Sequence, residues 1–397
     1  MIEASKMLEY SIYFLLPFLA GLTVLFIGIA IYRIYLIKKV TKSPFNPTFK
    51  GRENEIRRLA MQIRTGQSSA IIGAFGNERD AILGALRDPE QRATLYGDQT
   101  DRLIFSPLDV QSDVKKDCSQ AQFWEYILEP FKAKIADETD SPLFKAYQFC
   151  QENNFSHRYL DKLFVQMKQD GWRLVLLINR FEELLAREFL NDDAFFGSLR
   201  SLASSYHPSP LSLVIALNES FKQFYQGVKD LPKGSPYLNF LESGAINLGT
   251  LPEKEIDEFL ENSDPRFTQA DHNFLKESTG GHPYLLQKAM TILMDAYNNQ
   301  EVKPLDSAKV IFLEEAENML TSLLQFWPKR FCEAFVLVGQ NQDVSDDFKG
   351  ELNELNKQGF VKQQENGQWQ VRSSIFADLL SNKTLQEICQ NKLNAIH

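Results

Sequence analysis

Cysteine is scarce in this chain. Cys118, Cys150, Cys332 and Cys389 are the four it has, far apart and without a C-x-x-C pair. That pattern argues against a metal framework or a disulfide scaffold and for a reduced compartment. Histidine is nearly as rare, five in 397 residues, and His282 has no Cys or carboxylate cluster near it in sequence to suggest a metal. No G-x-S-x-G elbow, paired catalytic carboxylates or nucleophile–base pattern appears. Low-complexity tracts and internal repeats are missing as well.

Positive charge is also in deficit, with 43 Lys and Arg against 52 Asp and Glu, a net −9. Residues 1–42 reverse the trend: five Lys/Arg and two Asp/Glu give +3, which leaves −12 on the remainder. An acidic body offers no electrostatic attraction to DNA, nor to an anionic lipid surface beyond the first lysines. Nucleic acid is therefore not the expected partner.

What is present is enough apolar material for a proper core, 44% of residues, with 24% charged. Tyr10 to Tyr32 holds no charged residue over 23 positions. At 1.5 Å per residue this spans a bilayer with some tilt. Tyr10, Tyr13, Tyr32 and Tyr35 fit the interfacial belt, and Arg33, Lys38, Lys39 and Lys42 follow on one side. The expectation is a short extracytoplasmic segment (1–9), a transmembrane helix (10–32) and a juxtamembrane linker (33–48). The protein would then be single-pass in the cell's inner (plasma) membrane, with its C-terminal domains cytoplasmic. A cleaved signal peptide fits less well, because the start is not basic, the apolar run is long and no small-x-small site follows.

Beyond the linker, the strand-like runs Ser69–Ile72, Arg102–Phe105, Leu174–Ile178 and Leu211–Ala216 alternate with helical stretches. Short β runs between long helical segments indicate an α/β fold with a parallel sheet covered on both faces. Residues 119–170 read as a helical insertion. The expected domains are an α/β domain at 49–250, a helical segment at 251–307, a winged-helix-like domain at 308–385 and a tail at 386–397. The winged helix rests on a short hairpin, Gly359–Gln364 and Gln368–Arg372, around Asn366-Gly367.

Residues 71–80 read Ile-Ile-Gly-Ala-Phe-Gly-Asn-Glu-Arg-Asp, between a strand-like run and a helical one. That is the setting of a phosphate-binding P-loop, G-x-x-x-x-G-K-[ST]. Aligned on Gly73, with Gly76 inside the loop, Glu78 falls at the second glycine, Arg79 at the lysine and Asp80 at the hydroxyl residue.

Upstream, Phe49-Lys50-Gly51-Arg52-Glu53-Asn54-Glu55 matches the hydrophobic-x-G-R-E-x-E motif of the STAND signalling ATPases, relatives of AAA+ proteins. Downstream, Thr279-Gly280-Gly281-His282-Pro283 resembles that family's lid-helix G-x-P motif. Between them, Leu199-Arg200 with Leu211–Ala216, and Ser235-Pro236-Tyr237 with Leu248, are similar to its middle elements. The resemblance implies a P-loop NTPase-like domain, a helical lid and a winged helix. It also implies a nucleotide cleft formed by Gly51, Arg52, Gly73, Gly76, Arg79, Asp80 and Pro283. ATP or ADP is the cofactor such a cleft would take; the motifs also fit a cleft that holds none, and no metal ligands stand out.

The chemistry-bearing positions of that resemblance are altered. The third strand should end in an acidic pair that holds magnesium and polarises water, but here it ends in Asn179-Arg180. An amide is a poor substitute for a hard anionic ligand, and an arginine is no general base. A carboxylate about 4 Å from a phosphate charge costs about 4 kcal/mol at an effective dielectric near 20. Glu182 and Glu183 are expected on an exposed helix face, and Arg180 is expected to pair with Asp80 or Glu78. Ser345–Gln358, the presumed recognition helix, has a net charge of −2, which disfavours DNA.

These features point to a membrane-anchored pseudo-ATPase with no catalytic residues, acting as a signalling or assembly platform through a protein partner or another copy. Family analogy adds bacterial defence or stress. The alternatives are a slow ATP/ADP switch and a membrane-tethered DNA-binding regulator.

Overall fold

A computed structural model describes residues 51–229, 238–381, 385 and 387–389. The expected transmembrane helix at 10–32 and the turn at Ser235-Pro236-Tyr237 lie outside the described residues. Within the described residues, no helix is long and apolar enough to cross a membrane.

Five parallel strands form the central sheet: β1 (Ser69–Ile72), β2 (Leu103–Asp109), β3 (Arg173–Asn179), β4 (Leu211–Leu217) and β5 (Ile246–Asn247). Their order is β2-β3-β4-β1-β5. β4 is buried along its whole length and β3 at every position but Arg173, so helices must cover both faces. Side-by-side register brings Asp109 opposite Asn179, and Ile72 opposite both Leu217 and Asn247. The carboxyl ends of all five strands therefore share one edge, where ligands of open α/β sheets normally bind.

β2 runs four residues beyond the expected Phe105, through Pro107. Proline reads as a strand breaker, yet β2 is an edge strand, where a missing N–H breaks no ladder. The insertion at 119–170 forms three helices, Gln120–Ile135, Pro142–Glu152 and His157–Gln169, that join the sheet's core.

The segment after the sheet is helical, as Glu253–Glu261, Gln269–Thr279 and Pro283–Asn298. Helix Pro304–Phe326 then crosses the boundary expected at 307/308. Helices Lys329–Gly339 and Lys349–Lys357 follow, then an antiparallel hairpin, β6 (Val361–Gln363) with β7 (Trp369–Val371), and helix Ser374–Leu380. All of these share one apolar core with the preceding helices, from Leu251 to Cys389. The expected division into lid and C-terminal domain is thus a division in sequence, not in packing.

The expectation of no disulfide is corrected in the same core. Cys332 and Cys389 are bonded, their Cα atoms 5.6 Å apart, across 57 residues of sequence. That separation hid the pair from any spacing rule. Cys118 and Cys150 are free thiols.

Candidate functional site

The loop after β1 is short. Helix Gly76–Arg87 begins three residues beyond Gly73, so Glu78, Arg79 and Asp80 all lie in its first turns. A helix N-terminus attracts anions, and here Glu78, in the helix's first turn, supplies a negative charge from the chain itself.

Glu78 points inward and is wholly buried. Its Oε1 accepts a 2.7 Å bond from Arg52 Nε. Arg52, only 1% exposed, also donates 2.8 Å to Glu55 Oε1 and 2.6 Å to the Gly249 carbonyl. Burial raises the Glu78 pKa, and Arg52 offsets this only in part. For Arg52, burial works against the charge, but Glu78 and then Glu55 outweigh it. The two tendencies oppose each other at one contact. A guanidinium does not lose its proton at physiological pH, and a 2.7 Å charge-assisted bond holds the carboxylate ionised beside it.

His282 closes this side. Its Nε2 is 4.0 Å from Glu78 Oε2, and neither ring nitrogen has a side-chain hydrogen-bond partner among the described residues. Burial and then Arg52 push its pKa well below the usual value, so it is neutral.

The Gly51 and Gly73 positions show how tightly the cleft has closed. Gly51, at φ +93°, has room for no side chain without pressing on Pro283, whose Cβ would lie 3.3 Å from an added Cβ. At Gly73 an added Cβ would come within 2.8 Å of Leu248 Cδ1. In a working loop that close approach belongs to a phosphate; here an apolar side chain takes it. Phe75 completes the seal by leaving the sheet domain's core for the C-terminal one. It stacks on Tyr284 at 4.6 Å and meets the His282 ring edge-on at 4.9 Å, with Phe360 at 5.9 Å.

Arg79, at the lysine's position, turns back and donates to the Gly73 carbonyl through Nη1. Burial lowers its pKa, opposed chiefly by Glu182 and Asp80. Asp80 is exposed and accepts from Asn179. Asn179 Nδ2 also lies 3.3 Å from Asp109 Oδ2. Arg180, in left-handed backbone at φ +52°, forks onto Asp109 through Nε (2.9 Å) and Nη2. The expected pairing of Arg180 with Asp80 or Glu78 is therefore corrected. Register puts Asp109 beside the end of β3, whereas Glu78 faces the other way.

Glu182 and Glu183 are not on an exposed helix face. They lie in a 3₁₀ turn, Phe181–Ala186, and both are only partly exposed. Glu182 Oε2 is cut off from solvent and has no hydrogen-bond partner among the described residues. Burial raises its pKa, with Arg79 opposing. Beside it, burial and the Glu182 charge push Glu219 up to about 7.

These groups line a cavity of about 450 Å³ between the loop, the ends of β3 and β4, and the C-terminal end of helix Pro304–Phe326. Asn218 is in its wall, whereas Arg200, half-buried on helix Asp193–Ser204, is not. A larger cavity, about 750 Å³, lies beside the β2 edge away from the loop. Its Arg92 donates through Nη2 to both the Thr100 and Leu103 carbonyls. Among the described residues no group of three His, Cys, Asp or Glu is arranged to hold a metal.

The structure thus brings six of the seven expected cleft residues together, Gly51, Arg52, Gly73, Gly76, Arg79 and Pro283, with Asp80 at the outer rim. Sequence reasoning missed Phe75, Asp109, Glu219, the packing of Leu248 on Gly73 and the solvent-shielded Oε2 of Glu182. Asp109 stands four residues past the expected end of its strand, so no sequence signal marked it.

No protein-family model matches the chain, and no curated protein matches it. Solved structures do. The Walker-type ATPase PABY2304 of Pyrococcus abyssi is similar over 85% of this chain and 99% of its own, at 14% identity and a TM-score of 0.53. The Aeropyrum pernix ORC2 protein, solved as ADPNP–ADP complexes, is similar over 90% of this chain and 98% of its own, at 11% identity and a TM-score of 0.54. At such identities the likeness shows the fold alone, an AAA+-like α/β fold.

Proposed function

We propose that this chain is a pseudo-ATPase of the STAND/AAA+ type, a regulatory or assembly platform that works through protein contacts without turning over ATP. One observation carries the reading. At the position of the loop's second glycine stands a fully buried Glu78, ion-paired at 2.7 Å with Arg52, the residue the resemblance assigns to nucleotide. A bound nucleotide would have to displace Arg52 from Glu78 and leave a carboxylate uncompensated in a dry interior, which costs several kcal/mol. The losses of lysine, hydroxyl and acidic pair point the same way.

In this proposal residues 10–32 tether the protein to the plasma membrane, and the C-terminal helices with the β6–β7 hairpin serve as a winged helix adapted to proteins. The segment Ser345–Gln358, net −2 through Asp346 and Asp347 ahead of helix Lys349–Lys357, with Glu351 paired to Arg330 at 2.9 Å, supports protein over DNA as its partner. Val310, 70% exposed on the long helix Pro304–Phe326, is compatible with a partner or second copy docking there.

The second reading is a slow nucleotide switch, supported by the cavity beside Arg79 and Arg180. Titration calorimetry on the full-length protein with ATP and ADP, with and without magnesium, separates the two. The proposal expects no heat of binding in either case. Magnesium-dependent binding in the micromolar range would establish the switch.

A further inference from the structure

The cavity beside the loop is one positive charge short. Arg180 is committed to Asp109 through two nitrogens. Glu183 lies 3.7 Å from Arg187 Nη1. What is left facing the space is Arg79 against two carboxylates, Glu182 and Glu219. Arg79 is 4% exposed, and its Nε has no hydrogen-bond partner among the described residues. Glu182 Oε2 is likewise closed to solvent and without a hydrogen-bond partner among the described residues. Of these two, Arg79 acts on Glu182 alone, and Glu219 feels only burial and the Glu182 charge, so a second carboxylate and an orphan acceptor on one wall repel a polyphosphate and attract a cation.

The opposite wall is apolar, formed by Tyr284, Met319, Leu323 and Trp327. Phe326 stands at the rim with 80% of its surface in water. Such a wall is wrong for a bare divalent ion, which wants a shell of oxygens. It suits an ammonium carrying an apolar body, with ring faces adding cation–π attraction. We infer that this cavity binds a small amphipathic organic cation, its ammonium against Glu182 and Glu219 and its apolar part against Met319, Trp327 and Phe326. The inference rests on the reading that no nucleotide occupies the cleft. Binding draws a proton off Glu219, so affinity rises with pH through the range where that group titrates.

The test uses the full-length protein and two probes of equal shape and opposite charge, 3-phenylpropylamine and 3-phenylpropionate, followed by calorimetry. The amine binds and the carboxylate does not. The amine's affinity increases roughly tenfold between pH 6 and pH 8, the ratio of ionised Glu219 for a group titrating near 7. Glu219→Gln abolishes that pH step, and Glu182→Gln weakens binding at least tenfold. Thermal melts confirm that both variants fold; if Glu182→Gln does not, the Glu219→Gln pH profile decides alone. Equal binding of both probes, an unchanged pH profile in Glu219→Gln, or no amine binding up to millimolar concentration overturns the inference. Failure of the amine with MgATP also silent sinks this inference and leaves the pseudo-ATPase reading standing. MgATP that binds and displaces the amine sinks both.

Discussion

Glu78 and Arg79 are consecutive on one helical turn, yet they end in opposite surroundings. Glu78 enters a closed compartment in which its Oε1 is bound by Arg52, itself shared with Glu55 and the Gly249 carbonyl. Its Oε2 faces neutral His282 without a hydrogen bond among the described residues, and Phe75 and Leu248 remove the remaining space. Arg79 faces a cavity where donors and acceptors are left over. A helix rotates about 100° per residue, so adjacent substitutions in one motif acted on two different places. One closed the inner part of a nucleotide cleft by an ion pair; the other left its outer part open with new polarity.

The sharpest way to break the comparison is to remove one member of the closed pair. Glu78→Ala leaves Arg52 with Glu55 as its remaining carboxylate partner, so unfolding stability falls by about 3 kcal/mol in a denaturant melt, the low end for a broken buried pair. Arg52→Met combined with Glu78→Leu recovers most of that loss, because apolar replacement of a whole buried pair is nearly neutral. Phe75→Ala comes next, at about 3 kcal/mol for an emptied aromatic site between the two cores. Should it prove neutral, the loop is not sealed by packing.

Arg180→Glu puts a like charge against Asp109, but both side chains are partly exposed, at 31% and 22%. The expected loss is about 1 kcal/mol, shrinking in high salt.

The smallest effects concern pH, and the two regions respond with opposite sign. His282 has a depressed folded pKa, so the unfolded chain takes up a proton first as pH falls below about 6.5, and stability is lost there. Glu219 has a raised one, so the unfolded chain ionises first, and stability is lost as pH rises from about 4.5 to about 7. Glu219→Gln should therefore stabilise the protein above pH 7, by about 1 kcal/mol once partial exposure is discounted, and do little at pH 5. An equal effect at both pH values would mean the cavity does not hold Glu219 as described.

How much of this was legible in sequence follows the same division. β1 and β4 were readable almost to the residue, because uninterrupted apolar runs between helical periods admit few other readings. β5, two residues long, gave no pattern. The hairpin announced itself through Asn366-Gly367. The loop's altered chemistry was plain from Glu78, Arg79 and Asp80, since the spacing fixes what each should do. Where their charges went was not. The partner of Arg180 depends on β2 lying beside β3, and that of Glu78 on a helix folding back 26 residues upstream. Glu182, with one carboxyl oxygen shut off from solvent, imitated a solvated helix face because a 3₁₀ turn replaced the expected helix. Long-range neighbours decide such points, and a single sequence does not contain them.

A crystal of the full-length protein grown in excess MgATP gives the most direct measurement, read at the cleft between Gly73 and Pro283. The account predicts density for Arg52 on Glu78 and Phe75 on Tyr284, with Leu248 against Gly73 and no nucleotide. A triphosphate lying along the loop, with Arg52 swung away from Glu78, would contradict it.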